Sequence, residues 1–318
     1  MRFPGFEEAY KTYSFKDIFL FSTGKNIKQN EASPEFEIPC IRYGELYHLY
    51  HEVITEVINK TNLDKSELIF SRGDEILLPS AGEDPLDIGS SSALTVQGVA
   101  IGRTINILRP IKPNLYSHTY VSYYINQKLK KKISTLAKGV SISNVYNSDL
   151  RTLEINLPLL SEQIKISSFL SLLDQKISTQ SKIIEELNVL KINVSKKIFS
   201  QELKFKDDNG QQFPEWRIIR LEDVFYSEKG KGISKNKVDA NGKYECVLYG
   251  ELYTKYNEII FNIVSRTNED VGLKSQIGDL LIPSSTTTTG IDLANVTAIN
   301  KENVLLGGDI TVLRAKKK

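Results

Sequence analysis

The chain has 318 residues, 40% of them apolar and 25% charged, and a formal net charge of +2; this is the composition of a globular protein with room for two cores. No apolar run approaches the roughly 18 residues that span a bilayer, and two cysteines without a CxxC or Cys/His set exclude a disulfide framework and a structural zinc. With so small a net charge, any binding to nucleic acid must rest on local patches rather than on bulk electrostatics.

The N-terminus, MRFPGFEEAY, has neither the basic start nor the apolar stretch of a signal peptide, so a cytoplasmic location is expected. FPGF at 3–6 and FKDIF at 15–19 come first, then Gly24-Lys25, then CIRYGELY at 40–47. GDEILLPS at 73–80 and INILR at 105–109 complete the series. All of these return in the same order. FPEW occupies 213–216, LEDVF 221–225, Gly230-Lys231 follows, CVLYGELY lies at 246–253, GDLLIPS at 278–284 and ITVLR at 310–314. The two octapeptides share six of eight positions at an offset of 206. An ordered series of matches of this kind is an internal duplication.

Each copy reads as a mixed α/β unit, with alternating runs such as ECVLY and DITVLR as strands between Gly, Asn and Pro turns. The stretch YHEVITEVINKT carries both helical and strand-like spacing and stays undecided. Cys40 and Cys246 fall at equivalent places and are expected to pack on similar strands. Copy one continues into 117–139, where Tyr120, Tyr124, Leu129, Ile133 and Leu136 make a helical stripe and Gly139 is the expected C-cap. Copy two stops at 314–318, opposite Arg109, so its domain is expected to be incomplete within this chain.

Between the copies, Ser161 to about Gln201 lacks Gly and Pro. Ile166, Leu170, Leu173, Ile177, Ile184, Leu187, Val194 and Ile198 recur there at steps of three and four, with gaps filled by Gln180 and Lys191. This is a heptad seam on a helix of about 60 Å, expected to be N-capped by Ser161 and to need a partner helix.

The order of module, seamed helix and second module resembles the specificity subunits of type I restriction–modification enzymes. The closest local likeness is in 138–177, where Pro158, Glu162, Gln163, Ile166, Leu170, Leu173, Asp174 and Ile177 follow the segment that closes a target-recognition domain and opens the long helix. FPEWRIIRLEDV at 213–224 resembles the start of a second such domain. The resemblance implies an α/β fold with two target-recognition domains, 1–157 and 209–318, joined by a coiled-coil helix at 158–208. It implies a subunit without chemistry of its own that reads a bipartite site in double-stranded DNA. Its partners would be adenine-methylating modification subunits and an ATP-dependent restriction subunit. S-adenosylmethionine, ATP and magnesium would belong to those partners, and no cofactor to this chain.

The residues agree with a non-catalytic role. There is no [ND]PP[YF] loop and no GxxxxGK[ST] cradle, and Gly24-Lys25 and Gly230-Lys231 lack the following hydroxyl. His48 and His51 lie three apart, but Thr254 and Asn257 replace them in copy two, so a solvated pair is the better reading.

Three places are candidates for DNA contact. The Gly/Lys loops offer Lys25, Lys28, Lys231 and Lys235 to phosphates. The frame LLPS…D and LIPS…D holds AGEDPL at 81–86 in one copy and STTTTGI at 285–291 in the other, presenting Ser80 against Ser284, Ser285, Thr286 and Thr287. The basic segment 128–144 leads to Lys138, Ser141, Ser143 and Asn144. Tyr43-Gly44-Glu45 and Tyr249-Gly250-Glu251 are identical in both copies and are expected to serve the fold. Two alternatives stay open: a half-subunit that homodimerises through 161–201 to read a palindrome, and a coiled-coil scaffold without DNA specificity.

Overall fold

The computed structural model describes residues 2–139 and 141–316, which form two compact units, 1–203 and 204–318. Among the described residues no helix is long and apolar enough to cross a membrane.

In the first unit a five-stranded sheet runs in the order Phe19–Thr23, Ile105–Pro110, Glu75–Pro79, Ser92–Leu94, Val53–Ile54. A four-stranded sheet takes the order Lys60–Thr61, Ile38–Ile41, Gln97–Ile101, Phe70–Arg72. The undecided stretch resolves into strands: Val53–Ile54 and Lys60–Thr61 follow a single helical turn, Glu45–His48. Its β-branched Val53, Ile54 and Thr61 suit a pleated, half-buried surface.

The second unit repeats this layout. Its five-stranded sheet runs Phe225–Lys229, Ile310–Ala315, Asp279–Pro283, Thr297–Ile299, Ile259–Ile260. The four-stranded one runs Ser265–Thr267, Tyr244–Val247, Leu305–Leu306, Leu273–Lys274. The sense of pairing is kept as well: Cys40 lies parallel to Ala100 as Cys246 does to Leu305.

The cores match residue by residue. Ile41, Leu46, Ile54, Leu77, Leu94, Val99, Ile101, Ile105 and Ile107 form one cluster in the first unit. Val247, Leu252, Ile260, Leu281, Ile299, Val304, Leu306, Ile310 and Val312 take the corresponding places in the second. Each such side chain withdrawn from water contributes about 1.5–3 kcal/mol, so these positions tie both copies to one fold. Cys40 and Cys246 are free and fully buried, and burial pushes their thiols up to about 12 and about 11. They are packing residues, inert as nucleophiles.

A second, larger core belongs to the first unit. Phe15, Ile18 and Phe19 pack there against Tyr120, Val121, Ile125, Leu129 and Ile133, and against Leu153, Ile155 and Leu157. The helix carrying the tyrosine stripe is interrupted by a π turn at Ile125–Leu129. Ala137, not Gly139, caps its end. Gly139 lies two residues on at φ +142, where a Cβ would meet the Ile142 carbonyl oxygen at 2.0 Å.

The long helix runs Leu160–Phe199. Leu159 is its N-cap residue, without a side-chain cap, and Ser161 lies inside the helix, contrary to the expected cap. The first turns are instead held by tertiary contacts. Gln163 accepts from the Ser117 N–H at 2.9 Å and donates to the Pro158 carbonyl at 2.8 Å. Asp174 accepts from the Tyr123 hydroxyl. Arg2 donates through Nε and Nη2 to the two oxygens of the buried Glu162, at 2.7 and 2.5 Å. Phe3 stacks edge-on to Phe169, and Lys11–Ser14 pairs antiparallel with Glu154–Leu157, so the N-terminal segment clasps the base of the helix.

The Arg2 hydrogen bonds hold the Glu162 carboxyl below its ordinary value of 4.5, and the nearby positive charge works in the same direction. A carboxylate with a lowered folded pKa stabilises fully above its unfolded pKa and loses that contribution as pH falls through the folded one. Protection of the amides of residues 11–14 against hydrogen exchange, taken relative to the intrinsic rate at each pH, is therefore expected to fall as pH drops below the ordinary carboxyl value of 4.5. Glu162→Gln should remove most of that pH dependence. An unchanged profile in the variant would show that the clasp does not depend on this ion pair.

Candidate nucleic-acid interface

The fold brings two of the first unit's three candidate segments together. Ala81–Gly82 pairs antiparallel with Ser143–Asn144, and the Val145 N–H bonds to the Ser80 carbonyl at 3.0 Å. The 81–86 segment is thus not a plain surface loop, because Ala81 and Gly82 are buried in this ribbon. Only Glu83–Leu86 stand exposed, and Asp84 caps the one-turn helix Pro85–Ile88 by accepting from the Leu86 N–H at 2.8 Å.

Of the basic segment's candidates, Ser141 is exposed, Asn144 is half-buried and Ser143 is buried in the ribbon. The Lys138 ammonium is exposed but paired with Asp149 at 2.9 Å, so a phosphate would have to compete with a carboxylate for it.

A polar cluster that sequence reasoning missed anchors the far end of this segment. Asn126, inside the π turn, accepts from the Ser91 N–H at 2.7 Å and donates to the Ser91 carbonyl at 2.9 Å. The Ser122 hydroxyl donates to the same carbonyl at 3.0 Å. Nearby, a Cβ on Gly89 would lie 2.4 Å from the Lys130 carbonyl oxygen, so the segment fits closely against the basic helix. A π turn leaves no periodic signal in the residue pattern, which is why the cluster escaped notice.

In the Gly/Lys loops the glycines serve the fold. A Cβ on Gly24 would lie 1.9 Å from the Gly102 carbonyl oxygen, and one on Gly230 would lie 2.0 Å from that of Gly307. The close approach is to the protein's own backbone. Lys25, Lys28, Lys231 and Lys235 remain exposed beside it.

The repeated Tyr-Gly-Glu has a divided role. Glu45 accepts from the Arg42 side chain at 2.7 Å and from Asn59 at 2.9 Å, and Glu251 accepts from the Leu248 N–H, Lys255 and Ser265. The buried glutamates brace the fold. The tyrosines around them form matching ring pairs, Tyr43 with Tyr47 and Tyr249 with Tyr253, each with centroids 6.4 Å apart.

In the second unit that ring pair lines a cleft of about 900 Å³, together with Lys235, Thr287 and Thr288. Two candidates from separate stretches, Lys235 and Thr287, thus share one concavity. The threonine loop is stapled internally: Thr286 bonds Thr288 at 2.9 Å, Thr288 and Thr289 bond Asp292, and Ser284 bonds Thr311 at 2.7 Å. In the first unit the ring pair meets different chemistry. Burial raises the Tyr47 phenol pKa, Tyr43 adds to the shift, and so do the carboxylates of Asp87 and Glu83. His48 and His51 are exposed, and no cluster able to hold a metal occurs among the described residues.

The middle of the helix seam faces outward. Leu173, Ile177, Ile184 and Leu187 are exposed, whereas Ile166 packs on the larger core and Leu170, Val194 and Ile198 are half-buried.

Comparison with known proteins agrees with this architecture. The type I restriction modification DNA specificity domain matches residues 7–189, more than half of the chain. A protein described as the MjaX type I restriction enzyme specificity subunit of Methanocaldococcus jannaschii is 30% identical over 220 residues, 64% of this chain and 51% of the relative. The MjaVIII specificity subunit of the same organism is 27% identical over 224 residues, 66% of this chain and 49% of the relative. The chain thus spans about half the length of these curated relatives. The crystal structure of a type I restriction–modification S subunit from M. genitalium superposes with a TM-score of 0.60 at 17% identity, over 99% of this chain and 74% of that one, a likeness of fold. With the duplicated sheets and the long helix between them, these matches show that the chain belongs to the type I restriction modification DNA specificity family.

Proposed function

We propose that the chain reads a bipartite site in double-stranded DNA, each unit contacting one half, with the long helix setting the gap. On this reading modification subunits dock on the helix and a restriction subunit completes the complex. S-adenosylmethionine, ATP and magnesium belong to those partners. The observation that carries the proposal is one frame with two contents. The small cores agree at nine positions, while the exposed segment beside the ring pair is Glu83–Leu86 in one unit and a threonine loop in the other. A shared scaffold with unlike polar edges is what reading two different half-sites requires.

The test is selection from a pool of duplex DNA with a randomised centre. The wild-type chain should enrich a split sequence, with affinity falling steeply as salt rises because phosphate contacts release counterions. Replacing residues 83–86 should change the preferred bases in one half only. Enrichment of nothing above the starting pool would refute the reading.

The exposed seam favours a second statement, that Leu173, Ile177, Ile184 and Leu187 take a partner helix, here a second copy of residues 161–201 packed antiparallel. Large aliphatic side chains left in water forgo about 1.5–3 kcal/mol each, and a two-fold pair removes them from water symmetrically. Sedimentation at micromolar concentration should show a dimer that Leu173→Lys combined with Leu187→Lys converts to monomer. A monomer in both forms would exclude self-association through this face.

A further inference from the structure

We propose that the cleft of the second unit seats the sugar–phosphate ridge of duplex DNA, with Lys235 on a phosphate and Thr287 and Tyr253 as specificity-determining residues at its rim; this rests on the DNA-reading function above. The argument starts from which polar groups in the cleft are already committed. Lys255 is spent on Glu251 at 2.9 Å, and Thr288 is tied to Thr286 and Asp292. Asp309 stands 3.9 Å from Lys229. Among the described residues, the side chains of Lys235 and Thr287 have no hydrogen-bond or ion-pair partner, and neither has the Tyr253 hydroxyl. All three line the same cleft. Among the described residues it therefore offers the unpaired Lys235 cation and three uncommitted hydroxyls, those of Thr287, Tyr253 and the neighbouring Tyr249.

Size selects the part of the ligand that enters. A cleft of about 900 Å³ is far too small for a duplex but has the volume for a short stretch of one strand's backbone. A backbone seated there puts a phosphate within reach of an exposed lysine, a contact that carries affinity but no sequence information. The rim hydroxyls then face the groove beside that backbone. A hydroxyl donates and accepts, so each can bond a base edge, and the threonine methyl adds an apolar contact suited to a thymine methyl.

The stapling of the loop fits this role. Asp292 fixes Thr288 and Thr289 and accepts from the Thr289 N–H at 3.1 Å, so Thr287 is presented by a braced turn and loses little freedom on binding. Internal comparison shows the positions that vary. Tyr47 has the place of Tyr253, but carboxylates stand near it where the second unit has threonines. The constant tyrosine and the changing neighbour make the loop the source of the difference between half-sites.

The experiment is selection by the full chain from a pool of 40-base-pair duplexes with randomised centres, for the wild type, Thr287→Val, Thr287→Ser, Tyr253→Phe and Lys235→Gln. All three residues lie at the cleft surface, and thermal unfolding of each variant checks that the fold is kept. Thr287→Val should change the preferred base at one or two adjacent positions of one half-site, leave the other half intact, and be reversed in Thr287→Ser. Tyr253→Phe should act on the same half. Lys235→Gln should enrich the wild-type sequence with several-fold lower affinity and a slope of log affinity against log salt smaller by about 1. If the wild type enriches a split sequence and the Thr287 and Tyr253 variants enrich it unaltered with equal affinity, the cleft assignment is overturned while DNA reading stands. If the wild type enriches nothing, both fall together.

Discussion

Asp279→Ala is expected to cost the second unit about 3–5 kcal/mol, because it strands a buried guanidinium. Arg314 donates to Asp279 through Nε at 2.8 Å and through Nη2 at 2.6 Å, with the two side chains 9% and 1% exposed. Its remaining donors go to Glu228 at 2.7 Å and to the Lys274 carbonyl at 2.9 Å. These hydrogen bonds and the adjacent carboxylates hold the guanidinium pKa above its usual value. The first unit repeats the device: Arg109 donates to Glu75 at 3.0 Å, to Ser22 at 3.3 Å and to the Phe70 carbonyl at 3.1 Å. Each arginine ties the central strand of the larger sheet to the end of the smaller one. A domain of this size holds only about 5–15 kcal/mol in all, so the loss should lower the unfolding midpoint of the second unit by on the order of 15 °C. Calorimetry that resolves two transitions would see one move and the other stay. Glu75→Ala should cost the first unit at least as much free energy, since the Arg72, Gly73 and Asp74 N–H groups also lose their acceptor, and should shift its transition by about 2–4 °C per kcal/mol in a unit of that size. Shifts of a degree or two in both variants would show that the pairs are incidental.

Gly24→Ala should destabilise the first unit by about 3 kcal/mol, the upper end for inserting a carbon into filled space. The new Cβ would lie 1.9 Å from the Gly102 carbonyl oxygen and 2.7 Å from that of Ile101. Both obstacles are backbone, so no side chain can swing aside. Relief requires breaking the Gly24 N–H bond to the Ile105 carbonyl, the Lys25 N–H bond to the Ile101 carbonyl, or both, each 3.0 Å long. The change should therefore also loosen the loop that presents Lys25 and Lys28, lowering affinity for DNA of any sequence. Gly290→Ala is the control: no heavy atom lies within 4 Å of its Cβ, and its effect should stay within about 0.5 kcal/mol. Equal unfolding midpoints for the two variants would mean that the strand crossing at Gly24 gives way more easily than its contacts indicate.

Much of the architecture was legible in the residues because it depends on short-range pattern. The duplication was written in matching peptides, and the strands followed from alternation between turn residues. The long helix followed from forty residues without Gly or Pro, Leu160–Phe199. Its cap was misread for a physical reason. Ser161 has the chemistry of an N-cap, but the helix starts are secured by Arg2 and Ser117, which lie far away in sequence. The candidate DNA segments were found as three separate stretches. That 81–82 pairs with 143–144, and that Lys235, Tyr253 and Thr287 share a cleft, depends on chain crossings that carry no local signal.

The contrast is sharpest where the two copies agree in pattern and differ in burial. FKDIF and LEDVF have apolar residues at the same places. Phe15, Ile18 and Phe19 are 0–2% exposed, whereas Leu221 and Val224 are 63% and 38% exposed. In the first unit the helices over 118–136 and the strand Glu154–Leu157 cover that face of the sheet, and among the described residues the second unit has no equivalent cover. An apolar pattern specifies which side of a segment seeks a partner, because it reflects the spacing of side chains along one strand or helix. Whether that side is withdrawn from water depends on what the rest of the chain lays across it, and in this protein the answer differs between two copies of one motif.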